Sequence, residues 1–198
     1  MGRKLEFIRE DVVLRAMEVF WEKGYESTSL EDILSNTNLS KSSFYNSFQS
    51  KEAIFKECLL KYVGVLEVNV SELYREADSG KEFISGIFYD IIHDSKELNQ
   101  KMGCFVMNSA MEFAQRDEEI AIIIKSAMEK IENVFFVALE RSIEEGDVNK
   151  NSDAKSLSQY LLASFNGVKV LVKSGAEQSA LDNIVDVILS NIFLKNIK

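Results

Sequence analysis

Hydrophobic residues recur every three or four positions over most of the chain, which is the spacing of amphipathic α-helices. The first such stretch runs from Leu5 to Lys23, and Gly24 follows it, as is typical after the last turn of a helix. Two short helices and then a long helix starting at Lys51 are predicted next. The short helices span Ser29 to Asn36 and Lys41 to Phe48, and five further amphipathic stretches occupy residues 81–95, 103–115, 118–145, 153–173 and 179–195.

This pattern predicts an all-α fold of nine to ten helices. No strand-like alternation of polar and apolar residues persists, and the chain contains no proline, the residue that most strongly interrupts helices. The three N-terminal helices form a first domain, which we place at residues 1–50. The long helix opens a second domain, residues 51–198, with five more helices.

The short helix, turn and short helix between Ser29 and Phe48 have the form of a DNA-reading helix-turn-helix. Asn38 lies in the turn, where a left-handed backbone is common and asparagine tolerates it better than most residues. The apolar residues that would hold the two helices together are Ile33, Leu34, Leu39, Phe44 and Phe48. The polar residues that would project from the second helix are Lys41, Ser42, Ser43, Tyr45 and Asn46.

The distribution of charge changes the interpretation of an acidic chain. The net charge of −9 by itself argues against binding to nucleic acid. Residues 33–51, however, contain no aspartate or glutamate, whereas the average acidic content of the chain would place about three there. Most of the predicted helix-turn-helix therefore lacks the carboxylates that would repel DNA phosphates.

Cysteine and histidine are too scarce for most metal or catalytic sites. Cys58 and Cys104 lie far apart and His93 is the single histidine, which predicts free thiols in a reducing cytoplasm. No catalytic set, phosphate loop or metal-binding spacing is present, so we predict no enzyme activity, no cofactor and no metal. The chain also lacks a signal peptide and any apolar run of the roughly 18 residues that span a bilayer. We therefore expect a cytoplasmic protein without a membrane partner.

Four segments of the chain resemble the N-terminal domain of the tetracycline-repressor (TetR) family. They are residues 16–25 (AMEVFWEKGY), 28–33 (TSLEDI), 39–48 (LSKSSFYNSF) and 50–55 (SKEAIF). The resemblance implies a DNA-binding domain followed by a ligand-binding and dimerisation domain. It also implies a homodimer that binds a palindromic operator and leaves the DNA when a small-molecule inducer binds. Asn38 and Ser42 stand where the family usually has glycine, and Ser42 leaves less room for the backbone to approach DNA.

The resemblance also implies DNA contacts from Ser43, Tyr45 and Lys51, together with basic residues ahead of the first helix. Tyr45 has an alternative role in closing the small domain's core. The alternative for Lys51 is that it is an ordinary lysine in the first turn of a helix, although the helix dipole disfavours a cation there. The basic N-terminal residues are either a solvated tail or an arm that enters a DNA groove. The predicted DNA-binding residues are Arg3, Lys4, Ser29, Lys41, Ser42, Ser43, Tyr45, Asn46 and Lys51.

The last two predicted helices carry wide apolar stripes. A terminal helix packed on a monomer should bury one face, so part of the stripe is expected to meet a second copy of the chain. The resemblance points to the same arrangement, in which two helices from each subunit form the interface. The predicted interface residues are Leu157, Leu161, Phe165, Val168, Leu181, Ile184, Ile188 and Ile192.

The middle helices correspond to the part of TetR-type repressors that forms the ligand pocket. Methionine and aromatic side chains suit an adaptable site for an apolar ligand, and they equally suit an ordinary core. The candidate pocket residues are Phe88, Ile92, Cys104, Met107, Asn108, Met111 and Phe135.

These features together predict a TetR-type transcriptional repressor that a small, apolar ligand releases from DNA. One alternative is a repressor that responds to electrophiles or oxidants through Cys104, which is predicted to lie in the first turn of a helix, where the dipole favours a reactive thiolate. Another alternative is a helical adaptor that no longer binds DNA.

Overall fold

The computed structural model describes residues 8–93, 102–113 and 117–194. Within these ranges the protein has nine α-helices and no strand, which confirms the predicted all-α fold. None of the described helices has a stretch long and apolar enough to cross a membrane. The helices are α1 (Arg9–Lys23), α2 (Leu30–Thr37), α3 (Lys41–Phe48), α4 (Lys51–Glu76), α5 (Gly80–His93), α6 (Phe105–Phe113), α7 (Glu118–Glu144), α8 (Ala154–Lys173) and α9 (Gln178–Ile192). The predicted helix ends at residues 5–7, 94–95, 114–115 and 195 lie outside the described ranges.

The chain forms two compact units. The first comprises described residues within Met1–Leu66 and Asn108–Ile124, and the second those within Glu67–Met107 and Lys125–Lys198. The packing boundary thus lies further along the chain than the predicted domain boundary at residue 50. The difference arises because the first turns of α4 are part of the small unit's core, where the rings of Phe20 and Phe55 lie 5.0 Å apart.

Aromatic rings build the core of the first unit. Phe55 contacts Phe20 edge-on and stacks on Phe113 with ring centroids 5.1 Å apart. Phe20 and Phe55 are both almost fully buried, and each contributes roughly 1.5–3 kcal/mol through the removal of its surface from water. Gly24 caps the C-terminus of α1, with a φ of 80° in the left-handed region and an N–H that donates to the carbonyl of Phe20 at 2.9 Å.

The second unit buries apolar faces of α8 and α9 within one subunit, and these faces include most of the predicted dimer-interface residues. Six of the eight predicted interface residues are buried in the single chain because α5 packs against both helices. Leu157 and Ile184 are half-buried. The six buried residues are Leu161, Phe165, Val168, Leu181, Ile188 and Ile192.

The start of α5 lies against the backbone of α7. A Cβ atom added to Gly80 would lie 2.3 Å from the carbonyl oxygen of Ala138 and 2.4 Å from the hydroxyl of Ser142. The N–H of Gly80 also donates to the Glu145 carboxylate at 2.9 Å. This close approach, rather than a special backbone angle, requires glycine at position 80.

We therefore predict that Gly80→Ala lowers the free energy of unfolding by about 1–3 kcal/mol, because the added methyl must displace backbone atoms. Gly86→Ala on the same helix is the matched control, since nothing lies within 4 Å of its added Cβ. Alanine there should raise stability by roughly 0.5–1 kcal/mol through its helix propensity. Urea unfolding followed by circular dichroism measures both changes, and equal stability of the two variants would contradict this packing.

Candidate nucleic-acid interface

The α2 helix begins in a reciprocal cap between Ser29 and Asp32. The Ser29 hydroxyl accepts the N–H of Asp32 at 3.1 Å, and the Asp32 carboxylate accepts the N–H of Ser29 at 2.8 Å. Lys23 contacts the same carboxylate at 2.5 Å. Hydrogen bonds from Lys23 and Ser29 hold the pKa of Asp32 far below its usual value. Ser29, a predicted DNA contact, is thus exposed but already has a capping role.

The turn between α2 and α3 has the predicted left-handed residue. Asn38 ends α2 with φ 56° and ψ 26°, a conformation that asparagine tolerates at low cost. Ser40 then caps α3, since its hydroxyl accepts the N–H of Ser43 at 3.1 Å. The Ser40 oxygen also lies 3.0 Å from the hydroxyl of Ser42 and 2.9 Å from that of Ser43. Three hydroxyl groups therefore surround the first turn of α3.

The α3 helix separates its apolar and polar residues by face. Phe44 and Phe48 are buried. Tyr45 is 47% exposed, and its ring contacts Phe44 edge-on at 5.5 Å. Its ring therefore lies over the margin of the core rather than within it. The predicted DNA-binding residues Lys41, Ser42 and Asn46 are exposed, and Ser43 is half-buried.

The electrostatic character of this face favours an anion. The N-terminus of a helix carries a partial positive charge and unpaired N–H groups, to which the Lys41 ammonium adds a full charge. No carboxylate interrupts residues 33–51, so nothing on α3 itself opposes a phosphate. The exposed face of α3 thus combines a cation, hydroxyl donors and a tyrosine, which are groups that contact DNA phosphates and base edges.

Lys51 has intramolecular partners that the sequence did not indicate. Its ammonium donates to the carbonyls of Tyr25 at 2.9 Å and Thr28 at 2.8 Å, and it lies 4.1 Å from the Tyr25 ring centroid. These contacts fix the connection between α1 and α2 and offset the unfavourable helix dipole at Lys51. A phosphate contact by Lys51 stays a prediction, as do contacts by Arg3 and Lys4, which lie outside the described residues.

Arg9 is a positioning residue that sequence reasoning missed. Its guanidinium lies 4.3 Å from the centroid of Phe48 and donates to the Ser47 carbonyl at 2.8 Å. The same group forms a two-pronged ion pair with Glu57 on α4, at 2.5 and 3.1 Å. One side chain on α1 therefore joins the C-terminal turn of α3 to α4.

Glu112 on α6 holds the α1–α2 connection from another side. Its carboxylate accepts the N–H groups of Tyr25 at 3.2 Å and Glu26 at 3.0 Å. The ring of the next residue, Phe113, lies 4.8 Å from that of Tyr25. A side chain at Gly24 would come within 2.9 Å of the Glu112 carboxylate, so glycine also makes room for this contact.

The candidate pocket residues do not share one environment. Phe88, Ile92, Cys104 and Phe135 are buried in the second unit, and Met107 is half-buried. Asn108 and Met111 belong to the first unit, where Asn108 is half-buried. Met111 is 83% exposed on α6, so its place in a ligand pocket stays a prediction that this exposure does not favour.

Neither cysteine forms a disulfide, as predicted, and both are buried. Cys104 is only 3% exposed, whereas reactive cysteines are usually partly exposed. Its role as a sensor therefore stays a prediction that this burial does not favour. The described residues contain no group of three His, Cys, Asp or Glu side chains that could bind a metal ion.

Comparison with known families decides the assignment of this fold. Residues 13–58 match the model for bacterial regulatory proteins of the tetR family. Residues 81–188, more than half of the chain, match the model for the tetracyclin repressor-like C-terminal domain. The chain belongs to the TetR family. The resemblance of its N-terminal segments to TetR-family proteins is thereby confirmed and extends to the C-terminal helices.

Individual TetR-family proteins match along almost the whole chain. The uncharacterized HTH-type transcriptional regulator YezE of Bacillus subtilis is 32% identical over 96% of this chain and 98% of its own. The HTH-type transcriptional repressor ComR of Escherichia coli is 26% identical, covering 92% and 88%. The solved complex of a CifR cysteine mutant with 26-base-pair operator DNA has a TM-score of 0.82 at 24% identity, covering 96% and 100%. Escherichia coli NemR in its reduced form has a TM-score of 0.84 at 18% identity, covering 96% and 98%.

The contacts of Lys51 and the exposure of Lys41 predict different effects of removing each charge. Lys51→Met should lower the free energy of unfolding by about 1–3 kcal/mol, because it removes a donor from each of two carbonyls, of which that of Tyr25 keeps the N–H of Thr28 at 3.2 Å. Lys41→Met should change stability by less than about 0.5 kcal/mol. It should instead make the slope of log affinity against log salt shallower by about one unit per bound subunit.

Thermal unfolding and a salt titration on a random-sequence duplex separate the two roles. If Lys51→Met keeps its stability while losing salt dependence, Lys51 is a phosphate contact and the assignment above is reversed. An unchanged salt slope in Lys41→Met would exclude a phosphate contact by Lys41.

Proposed function

We propose that this TetR-family protein is a transcriptional repressor that binds a palindromic operator as a homodimer. The observation that carries the proposal is the exposed face of α3, where Lys41, Tyr45 and Asn46 project from a helix held in place by Phe44 and Phe48. A helix-turn-helix places such a face in the major groove, with its N-terminal residues on the base edges. Repression follows when the operator overlaps the binding site of the transcription machinery.

The names of relatives support repression over activation. ComR of Escherichia coli is named as a transcriptional repressor, and IcaR of Staphylococcus aureus, 26% identical to this chain, as a negative transcriptional regulator. The operator complex of CifR shows that a protein of the same fold binds duplex DNA. These proteins support a DNA partner for this chain, whose place of action would then be the cytoplasm.

The dimer interface that we propose differs from the one predicted from sequence. On α8 the outward stripe is Tyr160, Ala163, Gly167 and Val170, spaced three to four residues apart and exposed. On α9, Val187 is exposed on the side opposite to buried Val185 and Ile188. Small and apolar residues on two adjacent helices fit a self-complementary contact, in which the helices of two subunits approach closely.

Response to a small ligand is the remaining part of the proposal. The second unit contains an aromatic cluster in which Phe135 lies 6.1 Å from Phe88 and 5.8 Å from Phe165, measured between ring centroids. Such side chains can enclose an apolar molecule. A ligand that binds the DNA-free conformation more tightly would shift the protein away from its operator.

Two neighbouring residues of α9 test the dimer. Val187 is 58% exposed and Ile188 is 5% exposed in the single chain. Val187→Asp should leave the subunit folded and raise the dimer dissociation constant at least about tenfold, because two carboxylates would meet at the interface. Ile188→Asp should instead unfold the subunit, since it buries an unpaired charge.

Sedimentation velocity, circular dichroism and DNA binding should be measured on both variants. The expected result for Val187→Asp is a folded monomer with weakened DNA binding. A Val187→Asp protein that sediments as a dimer like the wild type would exclude this interface. A wild-type monomer at micromolar concentration would exclude the dimer itself.

A further inference from the structure

Lys169 lies on α8 beside an aromatic ring. Its ammonium lies 5.1 Å from the centroid of the Phe165 ring, one turn earlier on the same helix. Among the described residues, no carboxylate forms an ion pair with it. Burial lowers the pKa of the Lys169 ammonium, and the negative charge of an ionised Cys104 acts in the opposite direction. The ammonium is therefore largely shielded from water, although the Lys169 side chain is half-buried rather than fully buried.

Asn166, three residues before Lys169, has a polar side-chain atom that lacks a hydrogen bond. Its side-chain oxygen is buried and has no hydrogen-bond partner in the described part of the chain. Its amide nitrogen has only a weak contact, with the sulfur of Met128 at 4.0 Å. Residues three apart on a helix lie on the same side, so the oxygen of Asn166 and the ammonium of Lys169 project from one flank of α8.

The surroundings of this pair are apolar. Phe165 contacts Phe135 on α7, and Phe135 stacks on Phe88 of α5. Glu132 is on the same face of α7 as Met128 and Phe135. Its buried Oε1 lies 2.6 Å from the Lys155 ammonium, an ion pair whose angles fall short of a hydrogen bond. The carboxylate of the neighbouring helix is thus already engaged, and aromatic rings and a thioether surround the two polar groups.

A desolvated ammonium and an unpaired amide oxygen destabilise the folded protein unless a partner satisfies them. A cation–π contact with one phenylalanine offsets only part of the lost hydration. A partner that satisfies both groups must bring a negative charge for Lys169 and a hydrogen-bond donor for Asn166. Its remaining surface must be apolar to fit the aromatic rings.

We propose that Lys169 and Asn166 bind the polar groups of an apolar organic acid with a hydroxyl group. The carboxylate pairs with the Lys169 ammonium and the hydroxyl donates to the Asn166 oxygen. The hydrocarbon body packs against the rings of Phe165 and Phe135, which are buried in the ligand-free chain and separate to admit it. A monocarboxylate matches the single cation, whereas a phosphate ester would bring more charge than one lysine neutralises. This inference rests on the proposed function, because it names the class of ligand that would control DNA binding.

The test compares an acid with its uncharged analogue. Isothermal titration calorimetry with the full chain would use 4-hydroxybenzoate and 4-hydroxybenzamide, which differ in charge but hardly in shape. The acid should bind the wild type at least about tenfold more tightly than the amide, since a charge-assisted hydrogen bond is lost in the amide complex. Lys169→Met should reduce binding of the acid by a similar factor and leave binding of the amide unchanged.

Two further variants serve as controls. Lys173→Met removes an exposed charge from the same helix and should bind the acid like the wild type. Asn166→Leu should weaken 4-hydroxybenzoate more than benzoate, which lacks the hydroxyl. Without ligand, Lys169→Met should melt at the same temperature as the wild type or higher, because a desolvated charge is removed.

The proposal is overturned if the acid and the amide bind equally, if neither binds at millimolar concentration, or if Lys169→Met melts markedly lower. The last result would make Lys169 a structural lysine. A gel shift with operator DNA distinguishes this failure from that of the proposed function. If the wild type and Lys169→Met both bind DNA and a neutral compound releases both from it, the repressor function is supported and the proposed acid-binding site is rejected. If the acid binds but the protein never binds DNA, the proposed acid-binding site is supported and the repressor function is rejected.

Discussion

The connection between α1 and α2 is the constraint on which the DNA-binding face depends. The Lys51 ammonium joins two carbonyls of this connection, and the Glu112 carboxylate accepts two of its N–H groups. Within the connection, Thr28 donates its N–H to the Tyr25 carbonyl and its hydroxyl to the Gly24 carbonyl. The charged groups on α4 and α6 bind further backbone groups that the connection does not pair by itself. Because α2 begins directly after the connection, its position and that of α3 follow from these contacts.

An acidic protein can bind DNA because binding depends on the charges that come close to the duplex. At physiological ionic strength the Debye length is about 8 Å, so exposed carboxylates on distant helices are largely screened. The exposed face of α3 holds Lys41 without a carboxylate on its own helix. We therefore expect the net charge of −9 to limit non-specific binding more than binding to the operator.

The sequence was sufficient for features that depend on neighbouring residues. The left-handed Asn38, the caps at Ser29 and Ser40, and the buried face with Phe44 and Phe48 all follow from local spacing. Contacts between distant residues could not be predicted. Lys51 binds a carbonyl 26 residues away, Arg9 a carboxylate 48 residues away, and Glu112 an N–H 87 residues away. The dimer interface stays a prediction for a related reason: periodicity identifies an apolar stripe but not whether the same chain or a second copy covers it.

Selection of bound DNA from a random-sequence pool tests the central claim most directly. A dimer with one α3 helix in each of two successive major grooves should enrich an inverted repeat, with half-site centres about one helical turn, or a multiple of it, apart. The same selection with Tyr45→Ala should enrich no repeat, while circular dichroism shows the variant folded. No enrichment with the wild type, or enrichment of a single unrepeated half-site, would contradict the account of a dimeric helix-turn-helix repressor.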